Sequence, residues 1–143
     1  MKRRAALACA LLLSPAIAEA QVGEPPHTTI LYQNFPNPFP AAGSLTTCVW
    51  FDLARDSDVQ IQVLDIRGNV VRTLVPSADI PSRNATGRYG RASGNIPDGF
   101  GCDPRFTWDG VASDGRTVPA GVYLLRMRAD GADVVRRMLF LGR

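Results

Sequence analysis

Histidine is almost absent from this sequence: His27 is the only one, and it lies in a polar leader ahead of the first strand pattern. A Ser-His-Asp or Cys-His site would need that leader to carry His27 to a nucleophile, which a flexible segment does poorly. A zinc site would need His27 together with Cys48 and Cys102, and their spacing fits no metal-ligand pattern. A run of alternating aspartates ending in a glutamate is also missing, so Asp109 and Asp114, which straddle a turn, make only a weak calcium candidate. No glycine-rich loop follows a strand and opens a helix, which excludes the usual phosphate cradle. Beyond residue 20 no segment carries a helical period. These absences predict a chain that is non-catalytic and holds no cofactor or metal.

Lysine is equally scarce, and its one occurrence is informative. Lys2 stands with Arg3 and Arg4 before an apolar stretch over residues 5–13, and Pro15 then breaks the segment. Ala18 and Ala20 supply the small residues that a signal peptidase reads. The pattern predicts an export signal over residues 1–20, because the apolar run is too short to span a bilayer as a helix. An anchored N-terminal helix is the alternative. Cys9 lies inside the apolar stretch without a leucine three residues before it, which argues against a lipoprotein cleavage site.

Cleavage after Ala20 leaves 143 − 20 = 123 residues. A chain of that size buries about two-thirds of its unfolded surface. Loss of three cations and Glu19 lowers the formal charge from +3 to about +1. The basic character therefore belongs largely to the signal, and a nucleic-acid role loses its support. Three cysteines become two, Cys48 and Cys102. An even pair in an oxidising compartment reads as one disulfide, against the alternative of two buried thiols.

Residues 21–29 form an extended polar leader containing Pro25 and Pro26. Ile30, Leu31 and Tyr32 make a first short strand. The run Asn34-Phe35-Pro36-Asn37-Pro38-Phe39-Pro40 is neither helix nor central strand, because each proline fixes φ and lacks a donor. Phe35 and Phe39 can still bury their rings, which predicts a packed, non-repetitive segment. Val49, Phe51 and Leu53, and then Val59, Ile61 and Val63, recur with the two-residue period of half-buried strands. A turn over residues 65–69 leads to a strand over residues 70–75. Residues 76–104 hold four prolines and show no apolar period, so they read as a long surface loop. Asn84-Ala85-Thr86 within it matches a glycosylation sequon, a signal of little weight alone. Residues 106–108 resume the strand pattern. Tyr123, Leu125 and Met127 alternate before an Asp130-Gly131 hairpin turn, and a closing strand covers residues 134–141. Short strands with frequent turns predict an all-β antiparallel sandwich of about seven strands.

The run from Leu31 to Phe39 resembles the opening motif of the C-terminal sorting domains of type IX secretion cargo. The same segment opens the related immunoglobulin-like domains named after the hook-capping protein FlgD. Further pieces match in order: Thr47 through Leu53 as one strand ending in Phe51-Asp52-Leu53, the Val63-Leu64-Asp65-Ile66-Arg67-Gly68 corner, the spacing of Val71 and Leu74, Trp108-Asp109-Gly110, Asp114-Gly115, the stretch from Val118 to Tyr123, Arg126, and Arg137-Met138-Leu139. The resemblance covers about residues 30–142. It implies an immunoglobulin-like (fibronectin-like) fold over residues 30–143, with residues 76–104 as an insertion. It also implies a module for surface delivery, recognised by a protein partner such as outer-membrane secretion machinery. The expected locations are the periplasm, the cell surface or the medium, with no membrane span once the signal is removed. A free-standing exported binding or structural domain is the other reading. A hook-capping role is not expected, since the chain matches only one domain of such a protein.

The resemblance places partner recognition at the C-terminal hairpin, residues 120–143. Arg126 and Arg128 share one strand face, and Arg136 and Arg137 follow on the closing strand. Guanidinium groups can pair bidentately with carboxylates of a partner. The plainer alternative is that these arginines solvate an exposed sheet face. One of Arg136 and Arg137 must also point towards the core and needs a partner there, an aspartate being the natural choice.

Overall fold

Strand alternation decides the architecture, and it is clearest in the three longest strands. The structure, a computed structural model, describes residues 23–92 and 101–143. The expected signal over residues 1–20 and part of the 76–104 segment lie outside the described residues. The described residues are all-β, with one short 3-10 turn at Pro104–Phe106 and no α-helix. In β4 (Ser57–Leu64), Val59, Ile61 and Val63 are buried while Asp58, Gln60 and Gln62 face outward. In β9 (Gly121–Ala129) and β10 (Ala132–Phe140), Tyr123, Leu125, Met127, Met138 and Phe140 are buried in the same two-residue rhythm.

Among the described residues ten strands form three antiparallel sheets. The largest runs β10-β9-β4-β5, with β5 spanning Val70–Val75 and β6 (Arg83–Asn84) pairing the start of β4. A second has the order β1-β3-β7, from Ile30–Leu31, Phe51–Leu53 and Gly87–Tyr89. A third joins β2 (Thr47–Cys48) to β8 (Thr107–Trp108). All share one apolar cluster that includes Leu31, Phe39, Phe51, Ile61, Trp108, Leu125 and Phe140. Phe39 lies edge-on to Trp108 at 5.5 Å and tilts against Phe140 at 5.1 Å. The Trp108 indole donates to the Val111 carbonyl at 3.0 Å, which satisfies its one polar atom. Gly110 is held at φ +80° against the Phe140 ring, where a Cβ would stand 2.3 Å from a ring carbon.

The structure differs from the sequence reading in two places. The pattern over residues 47–53 is two strands rather than one. The chain leaves β8 after Cys48 and joins β1 and β7 at Phe51, with the Val49 amide bonded to the Phe106 carbonyl at the crossing. Asp52, expected on the outward face, is buried beneath Arg91 and Tyr32. In residues 76–92, read as the start of a loop, β6 and β7 pair with β4 and β3, and Ile80 is buried. Strands of two and three residues are too short to show a period, so composition alone hid them.

Candidate binding face on the C-terminal hairpin

The β9–β10 hairpin turns on Asp130 and Gly131, with φ of +53° and +74°. This is the pairing that a two-residue turn with right-handed strand twist demands. Ala129 faces Ala132, and the register runs unbroken to Gly121 opposite Phe140. Asp130 is tied down by the Thr29 hydroxyl at 2.9 Å and by Arg55. The Arg55 contact, ahead of the hydrogen bond from Thr29, holds its carboxyl below the usual range.

The four arginines singled out in the sequence separate into three roles. Arg126 and Arg128 both reach Asp133 across the hairpin. The Arg126 Nε donates at 2.7 Å and a second nitrogen of that guanidinium completes a fork, while Arg128 Nε stands at 3.4 Å. The Arg126 hydrogen bonds, supported by Arg128, hold the Asp133 carboxyl down at about 2. Arg136 is the arginine that points inward, and its partner is a backbone carbonyl: Nε donates to Leu31 O at 2.9 Å. No aspartate is needed there, because the carbonyl at the end of β1 serves as the acceptor. Arg137 faces solvent, and among the described residues its guanidinium makes no hydrogen bond or ion pair. Exposed Val135 and Leu139 lie on either side of it along the strand.

The proline-rich segment over residues 33–40 runs along the outer edge of β10. The Asn37 amide donates to the Arg137 carbonyl at 3.1 Å, and its oxygen accepts from the Leu139 amide at 2.9 Å. One side chain thereby stands in for a neighbouring strand's peptide group. Gln33 adds a second donor to the Arg137 carbonyl at 2.9 Å. The backbone of Phe39 then takes over, donating to Leu139 O at 3.0 Å and accepting from the Leu141 amide at 2.7 Å. The segment was legible as packed, but not as an edge cover. Asn37 between two prolines is the signal, since proline cannot supply the missing donor.

Cys48 and Cys102 lie with Cα atoms 5.7 Å apart, at disulfide distance, and are joined. Cys48 also exchanges backbone hydrogen bonds with Phe35, so the bridge meets the start of the proline-rich segment. The Asn84 side chain is buried and donates to the carbonyls of Pro81 and Ser82, both at 2.9 Å, so the sequon asparagine holds a turn. Asp65 accepts from the amides of Arg67 and Asn69, and Asp109 accepts from Val111, so both serve their turns. His27 is exposed and bonded to Glu24 at 3.0 Å. Among the described residues no group of three or more His, Cys, Asp or Glu side chains could hold a metal ion. No helix among them is long and apolar enough to cross a membrane.

A comparison with protein-family models finds no match for this chain, and a comparison with curated proteins finds none either.

Proposed function

We propose that the chain is an exported, non-catalytic immunoglobulin-like β-sandwich that acts as a secretion or surface-sorting module and is read through its C-terminal hairpin. The observation that carries the reading is the outer face of β9–β10. There, among the described residues, the Arg137 guanidinium lies without a partner between apolar neighbours, while Asp133 holds Arg126 and Arg128 in fixed positions. A guanidinium placed on a rigid strand and flanked by exposed valine and leucine suits protein recognition better than solvation alone. The sandwich reading is supported by a core shared among antiparallel sheets. It is also supported by a leading segment that starts beside β3 and crosses to the edge of β10. Export is supported by the signal pattern and by a cysteine pair at disulfide distance.

The test is to append residues 30–143 to a reporter in a host with type IX secretion. Surface delivery is expected, and it is lost when residues 134–143 are deleted. Arg137→Glu reduces it while the fold persists. If the intact domain never directs the reporter outward, the second reading takes its place. That reading is a free-standing binding domain, and the structured part of the 76–104 insertion favours it by adding β7 and the exposed Arg88 to the edge of the β1-β3-β7 sheet.

A further inference from the structure

Among the described residues β10 ends its sheet, so no strand of the same sheet lies on one side of its backbone. Which residues face that side is set by Leu139, whose amide points away from β9 and into Asn37. Residues two apart in a strand share a direction, so Arg137, Val135 and Asp133 present their amides and carbonyls to the same edge. The proline-rich segment occupies this edge at residues 137–141. Among the described residues no hydrogen bond reaches the outward backbone of Asp133 or Val135. The open stretch is therefore short and bounded, by Asn37 at one end and by the Asp130-Gly131 turn at the other.

Charge selects the occupant. The outer face of β9–β10 carries Arg126, Arg128 and Arg137 against a single carboxylate, Asp133, which the first two already share. A second copy of this chain would bring three more arginines to the same edge, and like charges on adjacent strands repel. An acidic strand has no such cost.

We propose that residues 132–136 of β10 are a docking edge for an extended acidic segment of a partner protein. The segment adds as one more strand, with a carboxylate on Arg137 and an apolar side chain over Val135. This rests on the reading of the C-terminal hairpin as the recognition surface, and it specifies how that surface is read. Backbone hydrogen bonds to Asp133 and Val135 give affinity, and the outward side chains give selectivity. Asn37 sets the register, because the incoming strand must stop where the amide of Asn37 begins.

The probe is a capped synthetic peptide, Asp-Thr-Val-Thr-Thr-Thr, whose first residue meets Arg137 and whose valine meets Val135 in an antiparallel pairing, added to the signal-free chain, with amide hydrogen exchange followed by NMR. Exchange at Asp133 and Val135 is expected to slow at least about ten-fold, while Leu139 stays as it was. Arg137→Ala weakens binding about five-fold, the size of one cross-strand pair. Val135→Pro abolishes binding yet spares the ladder to β9, because the Val135 amide faces outward. A peptide with its alternate amides N-methylated does not bind, which provides a control that leaves the protein unaltered. Equal binding of the methylated peptide, or no slowing at Asp133 and Val135, overturns strand addition. If that happens while deletion of residues 134–143 still blocks reporter delivery, the inference fails and the sorting reading stands. If the peptide protects the edge but the reporter is never delivered, strand addition stands and the sorting reading fails.

Discussion

The two halves of β10 share one ladder to β9 and one alternation of side chains, yet their outer edges differ. Over residues 137–141 the edge is closed by Gln33, Asn37 and Phe39, and the ring of Phe39 is fully buried against Trp108 and Phe140. Over residues 132–136 it is open, and side chains hold the strand from its two faces: Arg126 and Arg128 grip Asp133 outside, and Arg136 grips Leu31 O inside. An uncovered strand edge invites pairing with other chains, and proteins usually blunt it. Here the blunting stops partway. The difference shows that a non-repetitive, proline-rich segment can serve as a partial edge strand and leave the rest of the edge unbonded.

The largest effect is expected where the closed half is anchored. Phe39→Ala removes a fully buried ring and leaves a cavity beside Trp108 and Phe140, at a cost of about 3–5 kcal/mol in chemical denaturation. A loss below about 1 kcal/mol would mean that the segment does not depend on its ring. Opening the cysteine bridge comes next. It closes a sequence separation of 54 residues and meets the segment at Phe35. Its removal by paired Cys48→Ala and Cys102→Ala costs about 4 kcal/mol in the chain-entropy model. Asn37→Ala is smaller, at about 1 kcal/mol, because Asn37 is exposed and water replaces part of what is lost. Its signature is local: the Leu139 amide exchanges faster, and the Val135 amide does not change.

The smallest effect separates the open half by pH. The Asp133 carboxyl is held at about 2 against an ordinary value of 3.8. A folded-state value below the unfolded one contributes stability that is fully present above about pH 4 and is lost as pH falls towards 2. Asp133→Asn is expected to flatten the stability profile between those limits, matching the wild type near pH 2 and falling below it at pH 7 by a small amount, since the group is exposed and screened. A profile of wild-type shape in that variant would show that Asp133 plays no part in the acid response.

Legibility divides along physical lines. β4 and β9 are long enough for alternation to show, so Ile61 and Leu125 could be placed in the core from the sequence, whereas β10 carries apolar residues on both faces and its buried face, with Met138, was not legible. The Asp130-Gly131 turn was legible because its chemistry is local. The cysteine pairing followed from counting. Segments held by non-local contacts were not legible. The partner of Arg136 is a carbonyl 105 residues away, and nothing in the residue type at Leu31 announces it. Asp52 looked outward by alternation because Arg91, which comes back over it, lies in the aperiodic 76–104 stretch. Arg126 and Arg128 were legible as sharing one strand face, but their engagement by Asp133 depends on hairpin register, which the sequence suggests only once the turn is fixed.

The contrast between the two halves of β10 is tested most directly by native-state amide exchange on the free chain. Strong protection is expected at Leu139 and Leu141, whose amides are bonded to Asn37 and Phe39. Exchange at Asp133 and Val135 is expected to be faster by at least about two orders of magnitude, because among the described residues no hydrogen bond reaches those outward amides. Equal protection at Val135 and Leu139 would contradict the contrast, since the edge would then be closed along its whole length and no docking site would remain.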